Sequence, residues 1–336
     1  MISHKRTWFI NFNGIGNGII VAPILKCIEE SIPDMKYYHT ENSILSDKWF
    51  IKHAKLRNLV GFSPIKWRRF DKAYWKDIIE FLDKNKINLI VNFRNQGPKY
   101  DKKYFTLKKL LTKRGIEFWD LDFKIIEKRE KQKNFAKDIM SMLIEHRISM
   151  KVYNSQWLPG KIKRKSIGFG IMASQKNKKW PQEKWIALGK MILSKRKERI
   201  VLFAGTTLED IETARRIRTA IGNKKCKIVF NSSLSDVGKY LGKLKLFISN
   251  DTGLLHMACA AKTPTIGLYT ATDPKIWSPY TKTKFIAYAN KFMKKCPLNR
   301  VHAGNCSHYY NSCPIIAKYG DGISQNKVFD SIKKII

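Results

Sequence analysis

Asn250, Asp251, Thr252 and Gly253 form a polar turn between an apolar run, Leu246 to Ile248, and a small-residue stretch, Leu254 to Ala261. The run reads as a buried strand and the stretch as a helix, with a further strand at Thr265 to Tyr269. Where a strand hands over to a helix, unpaired backbone N–H groups and the positive end of the helix dipole face one small volume. That arrangement suits a phosphorylated ligand. Gly253 admits close approach of the backbone, Thr252 adds a hydroxyl, and Asp251 braces the turn by accepting backbone N–H bonds. His256 falls in the first helical turn, where it either donates a hydrogen bond to a phosphate or caps and packs the turn. Asx–Gly turns also join strands to helices where no ligand binds, so spacing alone leaves the phosphate reading open.

A second group of candidates is basic. Lys178 and Lys179 precede Trp180 and Pro181. Pro181 suits the first position of a helix and Glu183 suits its positive end. Either lysine can bring a mobile charge to phosphates, whereas Trp180 and Trp185 read as packing residues. Gly205 opens a loop after the strand ending at Ala204, and Glu209 in that loop offers a carboxylate to ribose hydroxyls. Arg94 follows the strand at Asn88 to Phe93, and Lys66, Arg68 and Arg69 alternate with Trp67 and Phe70 in SPIKWRRF. These cations suit an acidic partner. Tyr104 to Lys113 pairs an apolar face with a basic one, which fits an anionic membrane surface or a core-facing helix with a solvated lysine face.

These residues need a scaffold, and the hydrophobic pattern supplies one. In the first half, strand patterns at Thr7 to Phe12, Lys36 to Thr40, Asn88 to Phe93 and Glu117 to Asp122 alternate with helical patterns. The helices cover Ile19 to Ser31, Asp71 to Lys84 and Tyr104 to Lys113. In the second half, strands at Ser166 to Met172, Ile200 to Ala204, Lys227 to Phe230 and Leu246 to Ser249 alternate with helices starting at Pro181 and Leu208. Such alternation implies α/β domains with parallel sheets and crossover helices. Pro159, Gly160 and a lysine cluster break the pattern and predict a join near Leu158 to Lys165. The expected domains are 1–158 and 159–320, followed by a C-terminal helix within 321–336, at about Gln325 to Ile335. Ligands in such sheets sit beyond the carboxyl ends of the strands, which is where the candidate loops fall.

Three stretches in order resemble a known family. SNDTGLLH at 249–256, with TDP at 272–274 and then Trp277 and Tyr280, is similar to the C-terminal signature of the glycosyltransferase family 9 heptosyltransferases. KKWPQEKWIAL at 178–188 resembles that family's K-x-W-P-x-E-x-W segment, and NGIGNGIIVAPIL at 13–25 resembles its N-terminal loop. The resemblance implies a GT-B architecture, two doubly wound Rossmann-like domains facing across a cleft, with the last helix packing back on the first domain. It implies inverting transfer of a sugar from a nucleotide-sugar donor, ADP-heptose, to an acidic lipopolysaccharide-core glycolipid, with no cofactor. Ser174, Lys178, Glu209, Asp251, Thr252, Gly253 and His256 are the implied donor positions. Gly16, Arg94, Arg68 and Arg69 are the acceptor candidates. The family's base is an aspartate where this chain has Asn17, and an amide orients a hydroxyl but accepts no proton from it. Glu41 or Asp101 takes over as base, or hydrogen bonding suffices in a dissociative transfer, or the chain is a non-catalytic sugar-binding relative. A different nucleotide sugar, or a protein acceptor as in the autotransporter branch, keeps the same fold.

Composition bounds these readings. The chain has 336 residues, 43% of them hydrophobic, which suits two globular domains. No apolar run reaches transmembrane length, no signal peptide is legible at the N-terminus, and six cysteines fit a reducing cytoplasm. The expected location is therefore cytoplasmic and peripheral to the inner membrane. The 65 Lys plus Arg against 27 Asp plus Glu give +38, a field that concentrates polyanions, although a lysine-rich proteome produces the same count. Nucleic acid is a rival partner, but none of its recognition modules is legible, so no nucleic-acid partner is expected. Cys296, Cys306 and Cys313, near His302 and His308, lack the paired spacing of a strong metal site. They read as reduced thiols ahead of ligands, and no metal is assigned.

Overall fold

The alternation of apolar strands with half-apolar helices is realised twice in a computed structural model of the chain. It describes residues 5–10, 14–40, 44–63, 72–93, 101–121, 134–160, 165–270, 272–281, 284–288 and 322–336. The chain divides into two units, Met1–Asn154 and Ser155–Ile336.

The first unit carries strands β1 (Arg6–Ile10), β2 (Lys36–Thr40), β3 (Leu59–Ser63), β4 (Leu89–Asn92) and β5 (Glu117–Asp120). All pairings are parallel, in the order β3-β2-β1-β4-β5, so the winding reverses between β1 and β4. Its helices are α1 (Ile15–Ser31), α2 (Lys48–Ala54), α3 (Trp75–Lys84), α4 (Asp101–Lys113) and α5 (Phe135–Glu145). Ile78 and Leu82 of α3 pack with Leu107 and Leu111 of α4 over Trp8, Ile10 and Ile90 of the sheet. α1 is buried on nearly every side, through Val21, Ala22, Ile24, Leu25, Cys27 and Ile28. Within that apolar surround Glu29 is buried too. Its Oε1 accepts hydrogen bonds from the Tyr37 hydroxyl and from the N–H groups of Arg57 and Asn58, each at 2.9 Å. Burial, reinforced by the Glu29 charge, holds the Tyr37 phenol well above its ordinary value, so Tyr37 stays a donor.

The second unit carries β6 (Ser166–Gly170), β7 (Arg199–Phe203), β8 (Cys226–Val229), β9 (Leu246–Asn250), β10 (Thr265–Tyr269) and β11 (Lys284–Tyr288). They lie parallel in the order β11-β10-β9-β6-β7-β8, and the reversal falls between β6 and β9. Its helices are α6 (Gln182–Lys195), α7 (Leu208–Ile221), α8 (Leu234–Leu241), α9 (Gly253–Ala260), α10 (Pro274–Trp277) and α11 (Gln325–Ile335). Ile167, Phe169, Trp185, Leu188, Ile192, Ile217, Ile248 and Ile266 form its core. Glycine at 170 is what lets β6 lie so close to β9: a Cβ there would strike Ser249 Oγ and come within 2.7 Å of the Phe247 ring.

Several boundaries differ from expectation. The division falls at Asn154, a few residues before the expected join, because Leu158 N–H donates to Ala260 O and anchors its segment in the second unit. The last helix lies in the second unit and puts Val328, Phe329 and Ile332 into that unit's core. α1 begins at Ile15 rather than Ile19, since Gly14 takes the positive-φ conformation (φ 94) at the N-cap and the next glycines sit inside the helix. The sequence pattern also missed β3, α2, α5, α8 and β11. β3 is a short strand at the edge of its sheet with Val60 and Phe62 exposed, so it has no buried run to read.

Candidate functional site

The carboxyl edge of the second sheet, where β6 and β9 part company, gathers the donor candidates. Asn250, the last residue of β9, is fully buried and ties two loops together. Its Nδ2 donates to Ile171 O at 2.9 Å, and its Oδ1 accepts from Trp180 N–H at 3.0 Å. The next residue, Asp251, is also buried. Its Oδ2 accepts from Lys178 Nζ at 3.1 Å and from the Thr272 hydroxyl at 2.7 Å. One carboxylate oxygen thus joins the loops that follow β6, β9 and β10. Asp251, expected to accept backbone N–H bonds, accepts its bonds from side chains instead.

Thr252 follows as the N-cap of α9. Its hydroxyl makes no capping bond, whereas Thr207, Ser233 and Ser324 cap α7, α8 and α11 through their side chains. The dipole end of α9 therefore has no side-chain acceptor from its own cap residue. Gly253 opens the helix and His256 is buried in its first turn. Tyr269, at the end of β10, is fully buried. Burial, then the nearby Asp251 charge, pushes its phenol far above the usual range, so it is neutral at any working pH.

The two candidate lysines divide between neighbouring loops. Lys178 turns to Asp251, while Lys179 Nζ lies 3.7 Å from Asp210 in the first turn of α7. Asp210 packs against Gly205 so closely that any side chain at 205 would collide with its carboxylate. Ser174, in the turn after β6, and Glu209, in the first turn of α7, are exposed along the same edge. Trp180 and Trp185 are packing residues as expected: their rings meet edge to face at 4.9 Å, and both are buried. Sequence reasoning missed Thr272 as a partner of Asp251. It also missed Leu208, 80% exposed, and Phe230, 42% exposed, which follow the carboxyl ends of β7 and β8. No sequence signal marks these two, because their exposure at the carboxyl edge of the sheet shows only in the fold.

In the first unit, Gly16 and Asn17 lie in the first turn of α1, at that sheet's own reversal. Gly18 faces Ile44, whose Cγ1 would stand 2.7 Å from a Cβ at 18. Asp101 opens α4, and its side chain lies outside the described residues. Asp120 is a carboxylate that sequence reading did not single out. Its oxygens accept from Asn92 Nδ2 at 3.0 Å, from the Tyr104 hydroxyl and from Lys108 Nζ, which commits it to holding α4 on the sheet. Glu41, Lys66, Arg68, Arg69 and Arg94 lie outside the described residues, as do Cys296, His302, Cys306, His308 and Cys313. Cys27, Cys226 and Cys259 are buried thiols, as expected of core residues. Among the described residues no helix is long and apolar enough to cross a membrane.

Comparison with known proteins adds the following. A family model described as glycosyltransferase family 9 (heptosyltransferase) matches residues 117–302. Lipopolysaccharide heptosyltransferase 1 of Escherichia coli (strain K12) is 34% identical over 113 residues, 34% of this chain and 34% of that protein. The match therefore spans well under half of that relative. Among solved structures, the E. coli heptosyltransferase WaaC with ADP superposes with a TM-score of 0.64 at 17% identity, over 98% of this chain and 100% of that one. A glycosyltransferase family 9 protein from Veillonella parvula DSM 2008 superposes with a TM-score of 0.67 at 15% identity, over 99% and 97%. At such identities the two superpositions are likenesses of fold.

Proposed function

The chain belongs to glycosyltransferase family 9, and on that footing we propose that it transfers heptose from ADP-heptose to an acidic glycolipid of the lipopolysaccharide core. Transfer proceeds with inversion at the anomeric carbon. The observation that carries the donor half is the union of Lys178, Asp251 and Thr272 beside a helix end that its own N-cap side chain does not cap. A diphosphate resting on the first N–H groups of α9 meets the helix dipole and the Lys178 ammonium together. Both gain strength as the sugar–phosphate bond breaks and negative charge collects on the departing nucleotide. Glu209 receives the ribose hydroxyls, and the bare apolar surfaces of Leu208 and Phe230 receive the base. Ser174 and His256 complete the donor shell.

On the acceptor side, the Asn17 amide in the first turn of α1 orients the incoming hydroxyl beside Gly16. The proton passes to a carboxylate, with Glu41 and Asp101 the candidates. Arg68, Arg69 and Arg94 hold the acceptor's acidic groups. The net charge of +38 keeps the protein at the anionic cytoplasmic surface of the inner membrane, where such an acceptor resides.

Nucleotide release measured across ADP-, UDP- and GDP-sugars with acidic glycolipid acceptors tests this reading. ADP should appear only with the ADP-sugar and only when acceptor is present. Failure of the protein to bind ADP in calorimetry would overturn it.

A further inference from the structure

We propose that Thr272 is a positioning residue for the donor phosphates, acting through Asp251 on the ammonium of Lys178. The inference rests on the donor reading above and goes beyond it, because Thr272 is too buried to meet a ligand: 2% of it is exposed. Its hydroxyl nevertheless donates to Asp251 Oδ2 at 2.7 Å, and that same oxygen receives Lys178 Nζ at 3.1 Å. Of the three side chains, only the lysine reaches solvent to any extent, at 22% against 7% for the Asp251 side chain.

Two donors on one carboxylate oxygen share its charge. The Thr272 hydroxyl takes part of the electron density that would otherwise bind the ammonium, and it fixes the rotation of the carboxylate. Lys178 is therefore held in place without being held tightly, which is what a lysine needs if it is to turn its remaining N–H groups to a phosphate. Without the hydroxyl, Asp251 is free to rotate and draws Lys178 in as its main partner. Tyr269 beside it stays protonated and adds no charge to the nest. The arrangement is also topological. Thr272 comes from the loop after β10 and Lys178 from the loop after β6, and β9, which Asp251 directly follows, lies between those strands in the sheet. A residue far from the phosphates in the chain thus sets the position of a charge beside them.

The test is ADP affinity by calorimetry for Thr272→Val, Thr272→Ser, Lys178→Ala and the Thr272→Val/Lys178→Ala double variant. Thr272→Val keeps the shape and removes the donor, and it should weaken ADP binding about tenfold, the loss of one hydrogen bond to a charged group. Thr272→Ser should bind within about twofold of the parent protein. In the Lys178→Ala background, Thr272→Val should have no further effect, since the group it positions is gone. Thermal midpoints of all four should be followed alongside. Full ADP affinity in Thr272→Val, failure of serine to rescue, or additive losses in the double variant would each overturn the proposal. If Lys178→Ala itself binds ADP like the parent, the donor site has been misplaced and the proposal falls with it.

Discussion

The two sheets reverse their winding in the same way, yet the two reversal points are built from different materials. In the second unit the loops at the reversal are laced by polar side chains: Asn250 to Ile171 and Trp180, Asp251 to Lys178 and Thr272, Asp210 to Lys179. In the first unit the described part of the reversal joins a glycine turn to α1, a helix buried on almost every side, and the polar cluster beside it, Asn92, Tyr104 and Lys108 on Asp120, ties α4 to the ends of β4 and β5. The polar knot of α1, Glu29, sits near its far end. One edge gathers Lys178 and Lys179 on carboxylates beside a helix N-terminus. Among the described residues of the other, the carboxylate Asp120 holds a helix on its sheet. The lesson is that a shared topology fixes where the loops of a sheet converge, while the side chains at the reversal decide which charges gather there.

Removing each knot separates the two. Asp251→Ala strips Lys178 and Thr272 of their common partner, and we expect turnover in an ADP-release assay to drop about a hundredfold, equivalent to roughly 3 kcal/mol of lost charge positioning. Glu29→Ala leaves three donors around one buried site without their acceptor. It should lower the unfolding free energy in urea by about 3 kcal/mol while ADP affinity stays at the parent value. If Glu29→Ala lowered turnover as far as Asp251→Ala while the protein stayed folded, the division of labour between the units would be wrong.

Acid should also part them. His39 is fully buried against Phe62, with Nδ1 donating to Thr40 O at 3.0 Å, and burial pushes its imidazole down to about 4. The unfolded chain takes up that proton near the ordinary value of about 6.5, so the neutral ring supports the first unit fully above that pH. Support is lost as pH falls from there toward 4. In the second unit, Arg196 and then Lys245 hold Glu198 down to about 2, so its contribution is present above the ordinary carboxylate range and is lost only as pH falls toward 2. Urea midpoints taken from pH 7 to pH 4.5 should therefore decline, and His39→Gln should flatten the decline. The smallest effect belongs to Lys179→Ala. Its looser pair with Asp210 predicts no more than about a threefold loss of ADP affinity, well short of Lys178→Ala. Equal losses would erase the distinction between the two lysines.

Much of the second unit is legible in the amino-acid sequence, for a physical reason. Its strands are short apolar runs ended by Asn, Asp, Gly or Pro, and the expected bounds of Thr265 to Tyr269 and Gln325 to Ile335 match the observed elements. Asp251, Thr252, Gly253 and Lys178 are legible because they are consecutive or stand beside a Pro that marks a helix start. Thr272 is legible as part of the TDP stretch, but its bond to Asp251 is not, since a bond between residues twenty-one apart leaves no trace in spacing. In the first unit, Gly16 and Gly18 disguise the start of α1 because glycine disfavours helix everywhere except where a turn such as Gly14 has already set the chain. The partner of the last helix is equally hidden, because an amphipathic pattern says that a face is buried but not against what.

Trp180 carries a further consequence. Its N–H donates to Asn250 at the ligand edge, while its indole Nε1 donates to Ile323 O at 3.0 Å, just ahead of α11. Lys184 Nζ reaches the same carbonyl at 3.1 Å. The segment ahead of α11 is thus buttoned to the loop that carries Lys178, and clipping the chain before Ile323 would loosen that loop.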